Sequence, residues 1–275
     1  AIYAADSGVE WQLYQIRHGG AMGSAEWDSY TKLLLHFDGT DGSTSFTDEI
    51  GKSVTVNGNV QISTAQSKFG GASGYFDGSG DYLSVSSSLD WDIGTGDFTV
   101  DFWYRADSPT NEPEFFNMAP AYNSKYYNTR IKITRDYSVI RAWINGTNPY
   151  INSAVFDAAW HHVALVRYSG NVNLFIDGVG ITATSNSSSI TNDNLYIGVG
   201  NHPESHVPTT EYWKGYIDEF RFSPGIARWT ADFTPPTSAY SLDIPTDNGI
   251  EDSVAPPNMS NGATISTTVI GDYPN

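Results

Sequence analysis

The chain contains no cysteine. Disulfide frameworks, thiolate metal sites and cysteine nucleophiles are therefore excluded. An oxidising compartment stays open, because 275 residues can bury a sufficient core without cross-links. Positive charge is also scarce. Fourteen Lys and Arg face 31 Asp and Glu, for a net charge of −17. Nucleic-acid binding needs basic side chains that displace counterions from phosphate, so that function class is excluded. Anionic membrane surfaces are disfavoured for the same reason. No apolar run reaches about 18 residues, so the sequence holds no membrane-spanning helix. No signal-peptide pattern is visible, and export would require a leader upstream of Ala1. Only 16% of residues are charged, which separates the chain from disordered polyelectrolytes.

What is abundant is aromatic and turn-forming. The chain has 8 Trp, 17 Tyr and 13 Phe, with plentiful Gly, Asn, Ser, Thr and Asp. That mixture suits many short strands joined by tight turns. Residues 1–18 differ. Ile2, Ala5, Val9, Leu13 and Ile16 recur at three- and four-residue steps, which predicts a short N-terminal α-helix, closed by Gly19 and Gly20. Residues 19–29 read as a linker. From Tyr30 the pattern is β. In "DFTVDFWYR", Phe98, Val100, Phe102 and Tyr104 share one face, and Thr99, Asp101, Trp103 and Arg105 the other. Asn57-Gly58, between alternating runs, predicts a hairpin. Further hairpins are expected near Asp136, at Ser169-Gly170 and at Asp177-Gly178. About twelve strand candidates follow at the spacing of a sandwich. Residues 234–275 shift to Pro, Thr, Ser and Asn, and form a loose extension or a strand-bearing arm.

Read in order, "LLLHFDGTDGSTSFTD", "SKFGGASGYFDGSGDYLSV", "DFTVDFWYR", "WHHVALVRYSGNVNLFIDGV" and "GYIDEFRFSPGIAR" resemble the laminin-G-like, concanavalin A-like family. The resemblance implies an all-β jelly-roll sandwich over residues 30–233. Domains of this kind include lectins, adhesion modules, glycan-binding appendages of enzymes and glycoside hydrolases, and many bind Ca²⁺. The opening "YAADSGVEWQLYQI" resembles the segment that follows the membrane-spanning half of type IV pilin-like proteins, especially minor pilins. It implies a stalk that self-assembles through this helix and displays the sandwich as a head.

Candidate sites are few. A retaining glycosidase needs two carboxylates about 5 Å apart on one strand face, and the run Glu-x-Asp-x-x-Glu is missing. Asp90 and Asp92 read as a turn before a strand. His161 and His162 are adjacent on a strand, so they point to opposite faces and cannot share a metal; one is expected beneath the sheet and one exposed. His202 to His206 ("HPESH") lack the helical zinc-protease arrangement and read as loop. In "GYIDEFRF", strict alternation would put Asp218 beside Tyr216, Phe220 and Phe222. A carboxylate there must be paired, hydrogen-bonded or metal-bound. Backbone donors from a loop are one solution. A structural Ca²⁺ held by Asp218 with Asp38, Asp77 and Asp81, and with Asp41 near them, is the other. Glu219 and Arg221 are expected to pair with each other or across a neighbouring strand. The loop "EFFNMAPAYNSKYYN" offers aromatic faces and amides for a sugar at Tyr122, Asn123, Tyr126, Tyr127 and Asn128. "HPESHVPTTEYW" is a second such loop. Asn145 and Asn186 head glycosylation sequons.

The expectation is a non-catalytic, extracellular or cell-surface module that binds a glycan or a surface, carried as the head of a pilin-like filament subunit. The alternatives are a virion structural protein, as a tail fibre or decoration, and a polysaccharide-active enzyme.

Overall fold

The structure is a computed structural model and describes residues 26–107, 114–120, 129–136, 139–145, 150–151, 157–180, 184–200 and 212–244. The expected N-terminal helix and the tail beyond 244 lie outside these residues. In chain order the strands are β1 (Glu26–Trp27), β2 (Leu33–Leu35), β3 (Val54–Asn57), β4 (Gln61–Ser63), β5 (Ser73–Asp77), β6 (Tyr82–Val85), β7 (Phe98–Ala106), β8 (Glu114–Ala119), β9 (Ile131–Asp136) and β10 (Val139–Ile144). They continue with β11 (Tyr150–Ile151), β12 (His161–Tyr168), β13 (Asn171–Ile176), β14 (Val179–Gly180), β15 (Thr184–Ser185), β16 (Asn194–Ile197), β17 (Lys214–Pro224) and β18 (Asp243–Ile244). One 3₁₀ turn, Leu89–Trp91, is capped by Ser88 and contains Asp90, in keeping with the turn expected there.

Two antiparallel sheets face each other, as the all-β sandwich reading requires. One has seven strands in the order β11-β10-β9-β8-β16-β6-β3. The other has nine, ordered β14-β13-β12-β7-β17-β5-β4, with β15 on β13 and β2 on β17. Alternation drives this packing. Phe98, Val100, Phe102 and Tyr104 of β7 enter a shared core with Phe116, Met118, Ile131, Ile133, Leu195 and Ile197 from the opposite sheet.

The hairpin expected at Asn57-Gly58 is not a hairpin. β3 pairs with β6 in one sheet, and β4 pairs with β5 in the other. The turn therefore carries the chain between layers. Asp81 holds it by accepting the Asn59 amide at 2.7 Å. The other expected turns are found. β9–β10 pairs Asp136 with Val139, β12–β13 pairs Tyr168 with Asn171, and β13–β14 pairs Ile176 with Val179. Ser169-Gly170 and Asp177-Gly178 take the left-handed angles of two-residue hairpins, at φ 47° and 73° and φ 50° and 78°.

The outer face of the nine-stranded sheet is covered as well. After β17 the chain doubles back across it. Ala227, Trp229 and Phe233 pack on Ala164, Val166 and Phe175, while Tyr240 and Leu242 pack on Leu34 and Trp103. β18 then pairs with β1, which brings residues 26 and 244 together. This wrapping buries the polar face of β7 and β17. Asp101 accepts both Arg221 Nε and Nη2 at 3.0 Å. His162 Nε2 meets the Tyr240 hydroxyl at 3.0 Å, and the Arg228 guanidinium contacts Asp28, Thr31 and Ser223. Among the described residues no helix is long and apolar enough to cross a membrane.

Candidate functional site

The outer face of the seven-stranded sheet is built differently. Its side chains are the out-of-phase residues of strands whose in-phase residues fill the core. In β10, Ile140, Ala142 and Ile144 point inward, so Arg141 and Trp143 point out. In β16, Leu195 and Ile197 point inward and Tyr196 out. In β8 a bulge between Glu114 and Phe116 lets Phe115 and Phe116 both join the core. Asn117 then returns to the outer face, with Glu114 on the same side.

Strand register lines these residues up. Thr55 lies opposite Ser84, Ser84 opposite Tyr196, Tyr196 opposite Asn117, Asn117 opposite Lys132, and Lys132 opposite Trp143. One row thus crosses six strands and combines two aromatic rings with hydroxyl, amide and amine groups. Tyr82 widens it, its ring centroid 6.3 Å from that of Tyr196. The Tyr196 hydroxyl accepts from Asn194 Nδ2 at 3.3 Å. Lys132 forms an ion pair with Glu114, which is fully buried. Arg141 lies on the same face, two residues along β10 from Trp143.

The middle of the row is unsatisfied. Asn117 is 1% exposed, and its Oδ1 has no hydrogen-bond partner. An orphaned buried acceptor costs about 1–3 kcal/mol. The oxygen is itself buried, so a ligand hydroxyl would relieve that cost only by displacing what covers it. Trp143 and Tyr82 remain half-buried and offer ring surface on either side.

These residues were missed as sequence candidates, although the signal was present. An aromatic or amide placed out of phase in an otherwise apolar strand, as in "VIRAWI" and "NLYI", marks a polar sheet face. The predicted ligand residues Tyr122, Asn123, Tyr126, Tyr127 and Asn128 lie outside the described residues, between β8 and β9. His202 to His206 also lie outside them.

The four carboxylates expected to hold Ca²⁺ do not converge. Asp81 accepts the amides of Asn59 and Asp77 at 2.7 and 2.9 Å, and Asp77 accepts that of Ser79 at 2.7 Å. These two tie a turn. Asp41 accepts the Thr64 amide at 2.9 Å. Asp38 takes the Ala72 amide and packs on Gly70. Asp218 accepts the amides of Lys68 and Phe69 at 2.8 and 3.2 Å, the backbone solution expected for it. Burial pushes the Asp218 carboxyl up to about 7, despite those two donors. Among the described residues no group of three or more His, Asp or Glu is placed to hold a metal ion.

Two further expectations are corrected. Asp218 does not share a face with Phe220 and Phe222. The pairing of β17 with β7 shifts between Asp218 and Arg221, and Glu219 has φ 52°. This bulge turns Phe220 and Phe222 into the core and leaves Asp218 on the other side, beneath the loop of residues 67–71. Neither His161 nor His162 is exposed, at 8% and 0%. His161 is clamped between Asp157 and Asp177 at 3.0 and 2.7 Å, and the arm covers His162. Asn186 is 5% exposed and its Nδ2 donates to the Ile144 carbonyl at 3.0 Å, so that sequon is closed to modification. Glu219 and Arg221 pair across neighbouring strands, with His36 at 2.9 Å and with Asp101 respectively.

The fold and this face define an antiparallel sandwich with one polar, aromatic sheet surface. A family model described as the concanavalin A-like lectin/glucanases superfamily, of laminin-G type, matches residues 77–227, and the chain belongs to that family. No curated protein matches in sequence. Among solved structures, the chain is similar to the binding domain of botulinum neurotoxin serotype G, at 15% identity and TM-score 0.52, over 70% of this chain and 47% of that one. It is similar to the binding domain of Paraclostridial Mosquitocidal Protein 1, at 14% identity and TM-score 0.53, over 72% and 50%. It is also similar to the fourth domain of an extracellular arabinanase from Geobacillus stearothermophilus, solved with arabinotriose, at 18% identity and TM-score 0.50, over 72% and 95%. The match thus spans about half of each toxin binding domain and nearly all of the arabinanase domain. At these identities the likeness is one of fold.

Proposed function

We propose that this chain is a non-catalytic glycan-binding module and that its ligand lies across the outer face of the seven-stranded sheet. The orphaned Asn117 carbonyl oxygen, set between Tyr196 and Lys132 in a row ending at Trp143, carries this reading. Rings cover sugar C–H surface, and amide and hydroxyl groups bond its hydroxyls. The arabinanase domain of the same fold was solved with arabinotriose, and cell entry of botulinum neurotoxin type C depends on two ganglioside molecules.

Hydrolysis is disfavoured. It needs two carboxylates flanking the scissile bond, whereas Glu114, the carboxylate of this row, is tied to Lys132. We place the module outside the cell and read residues 1–18 as its pilin-like anchor and route of self-assembly. Electron microscopy of source material separates a pilus from a virion and tests that placement. Calcium enters only as a structural ion, and the four carboxylates expected to hold it do not make a donor set.

The test is glycan-array binding of the full chain and of Trp143→Ala and Asn117→Ala, in EDTA and in calcium. Each substitution is expected to weaken binding at least about tenfold, the loss of one buried hydrogen bond or stacking contact. Chelation should leave affinity unchanged. Binding indifferent to both substitutions would remove the ligand from this face. Release of reducing ends would overturn the non-catalytic reading.

A further inference from the structure

A second polar and aromatic concavity lies on the opposite side of the molecule, at the end of the β12–β13 hairpin. It measures about 220 Å³ and is lined by Val166, Tyr168, Asn171, Asn173, Trp229 and Thr230. Its position follows from the arm. Trp229 stacks on Phe233 at 4.1 Å with an interplanar angle of 9°, and together they cover the middle of the nine-stranded sheet. The arm leaves the sheet uncovered toward the hairpin tip, and there the concavity opens. Val166 and Trp229, 1% and 3% exposed, form its floor. The Tyr168 ring stands half exposed at its side, and Asn171 and Thr230 lie on the exposed rim.

This is a rigid place. The Ser169-Gly170 turn is a two-residue hairpin turn, and the Ser169 amide donates to Asp97 at 2.8 Å. Between Val166 and Tyr168, Arg167 points to the other face. There it is fully buried and donates to the carbonyls of Gly94, Gly96 and Ser188 at 2.7, 2.7 and 2.8 Å. The Asn171 amide is itself steadied by a 3.3 Å bond to the Ser169 carbonyl. The concavity is therefore present before any ligand arrives, and little ordering is required on binding.

Its chemistry is specific. Among the described residues no charged side chain lines it, which favours a neutral ligand. Two amides and two hydroxyls supply donors and acceptors together, and a phenol and an indole supply apolar surface. That set recognises a polyhydroxylated ring with one apolar face. The volume lies below the roughly 300 Å³ at which pockets for drug-sized ligands begin. It suits a single ring. We propose that this concavity is a second, independent site for one neutral sugar residue, on the far side of the sandwich from the Asn117 row. The module is then bivalent and can bridge two glycan chains.

The proposal goes beyond the first site and stands without it. The experiment is a titration of the isotope-labelled full chain with neutral monosaccharides (arabinose, xylose, glucose and galactose) and with arabinotriose, read by amide and indole NMR shifts. Saturable shifts are expected at the Asn171 side-chain amide, the Tyr168 backbone and the Trp229 indole. Tyr168→Ala and Asn171→Ala should each weaken that response at least tenfold, while Asn117→Ala and Trp143→Ala leave it unchanged. Shifts confined to the Asn117 row would overturn this second site and leave the first standing. Shifts confined to the hairpin would support the second site and remove the first. Silence at the hairpin with every sugar, or a response that survives both hairpin substitutions, overturns the proposal.

Discussion

Asp218 shows how much a single side chain sets here. Its carboxyl is buried with Oδ1 unpartnered, and burial raises its pKa to about 7 from the usual value near 4. Between those two values the folded state holds a proton that the unfolded state has released. Stability therefore falls as pH rises through this window. Asp218→Asn keeps an acceptor for the Lys68 and Phe69 amides and removes the charge. We expect the substituted protein to lose this pH dependence and to be more stable than the parent at pH 8, by an amount on the order of 1–3 kcal/mol. Urea unfolding at pH 4.5 and pH 8 measures it, and equal differences at the two pH values would contradict it. Arg221 is the opposite case. Burial opposes ionisation of Asp101, but the bidentate Arg221 guanidinium outweighs it and holds that carboxyl well below its usual range. Arg221→Ala leaves a buried, uncompensated carboxylate, and a loss of about 3–5 kcal/mol is expected. Joint replacement by Asp101→Leu and Arg221→Met should recover most of that loss in the same unfolding measurement.

Elements were legible where both periodicity and turn chemistry spoke for one sheet. The alternation of "DFTVDFWYR" and the turns at Ser169-Gly170 and Asp177-Gly178 read directly as β7, β12, β13 and β14. Asn57-Gly58 misled because its glycine, with φ 73°, serves a turn between layers as well as it serves a hairpin. Local chemistry does not say which sheet a strand joins. The bulge at Glu219 was also hidden, since a non-glycine residue at φ 52° has no signature in the sequence. The binding row stayed hidden for another reason. Its members come from six strands far apart in sequence, and only register unites them. The arm is similarly a product of tertiary packing. Gly178, at φ 78°, accepts the Phe233 amide at 2.9 Å, and a Cβ there would strike the Phe233 carbonyl. Gly178→Ala is expected to strain both the turn and the seat of the arm. It should lower the melting temperature by several degrees, as about 1–2 kcal/mol does in a domain of this size. Faster hydrogen exchange at residues 227–242 would accompany it, and an unchanged exchange pattern would show that the arm does not depend on this contact.

At the scale of the whole molecule, the chain spends its polar residues in three ways. Some are buried to hold the arm against the nine-stranded sheet. Others, such as Asp77 and Asp81, tie turns. A third group, with Tyr82, Tyr196, Trp143 and Asn117, lies on the outer side of the seven-stranded sheet. Among the described residues, that last group holds an unsatisfied buried acceptor, the Asn117 carbonyl oxygen, beside aromatic rings. A neutral ligand there should bind with little dependence on salt. β1 and β18 bring residues 26 and 244 to one place. The most direct measurement is the affinity of the full chain for its best glycan on an array, compared with that of Asn117→Ala. Binding that falls at least tenfold while the melting temperature holds is the result expected of a ligand hydroxyl on the Asn117 carbonyl oxygen. Undiminished binding, or no glycan bound by the parent chain at all, would contradict it.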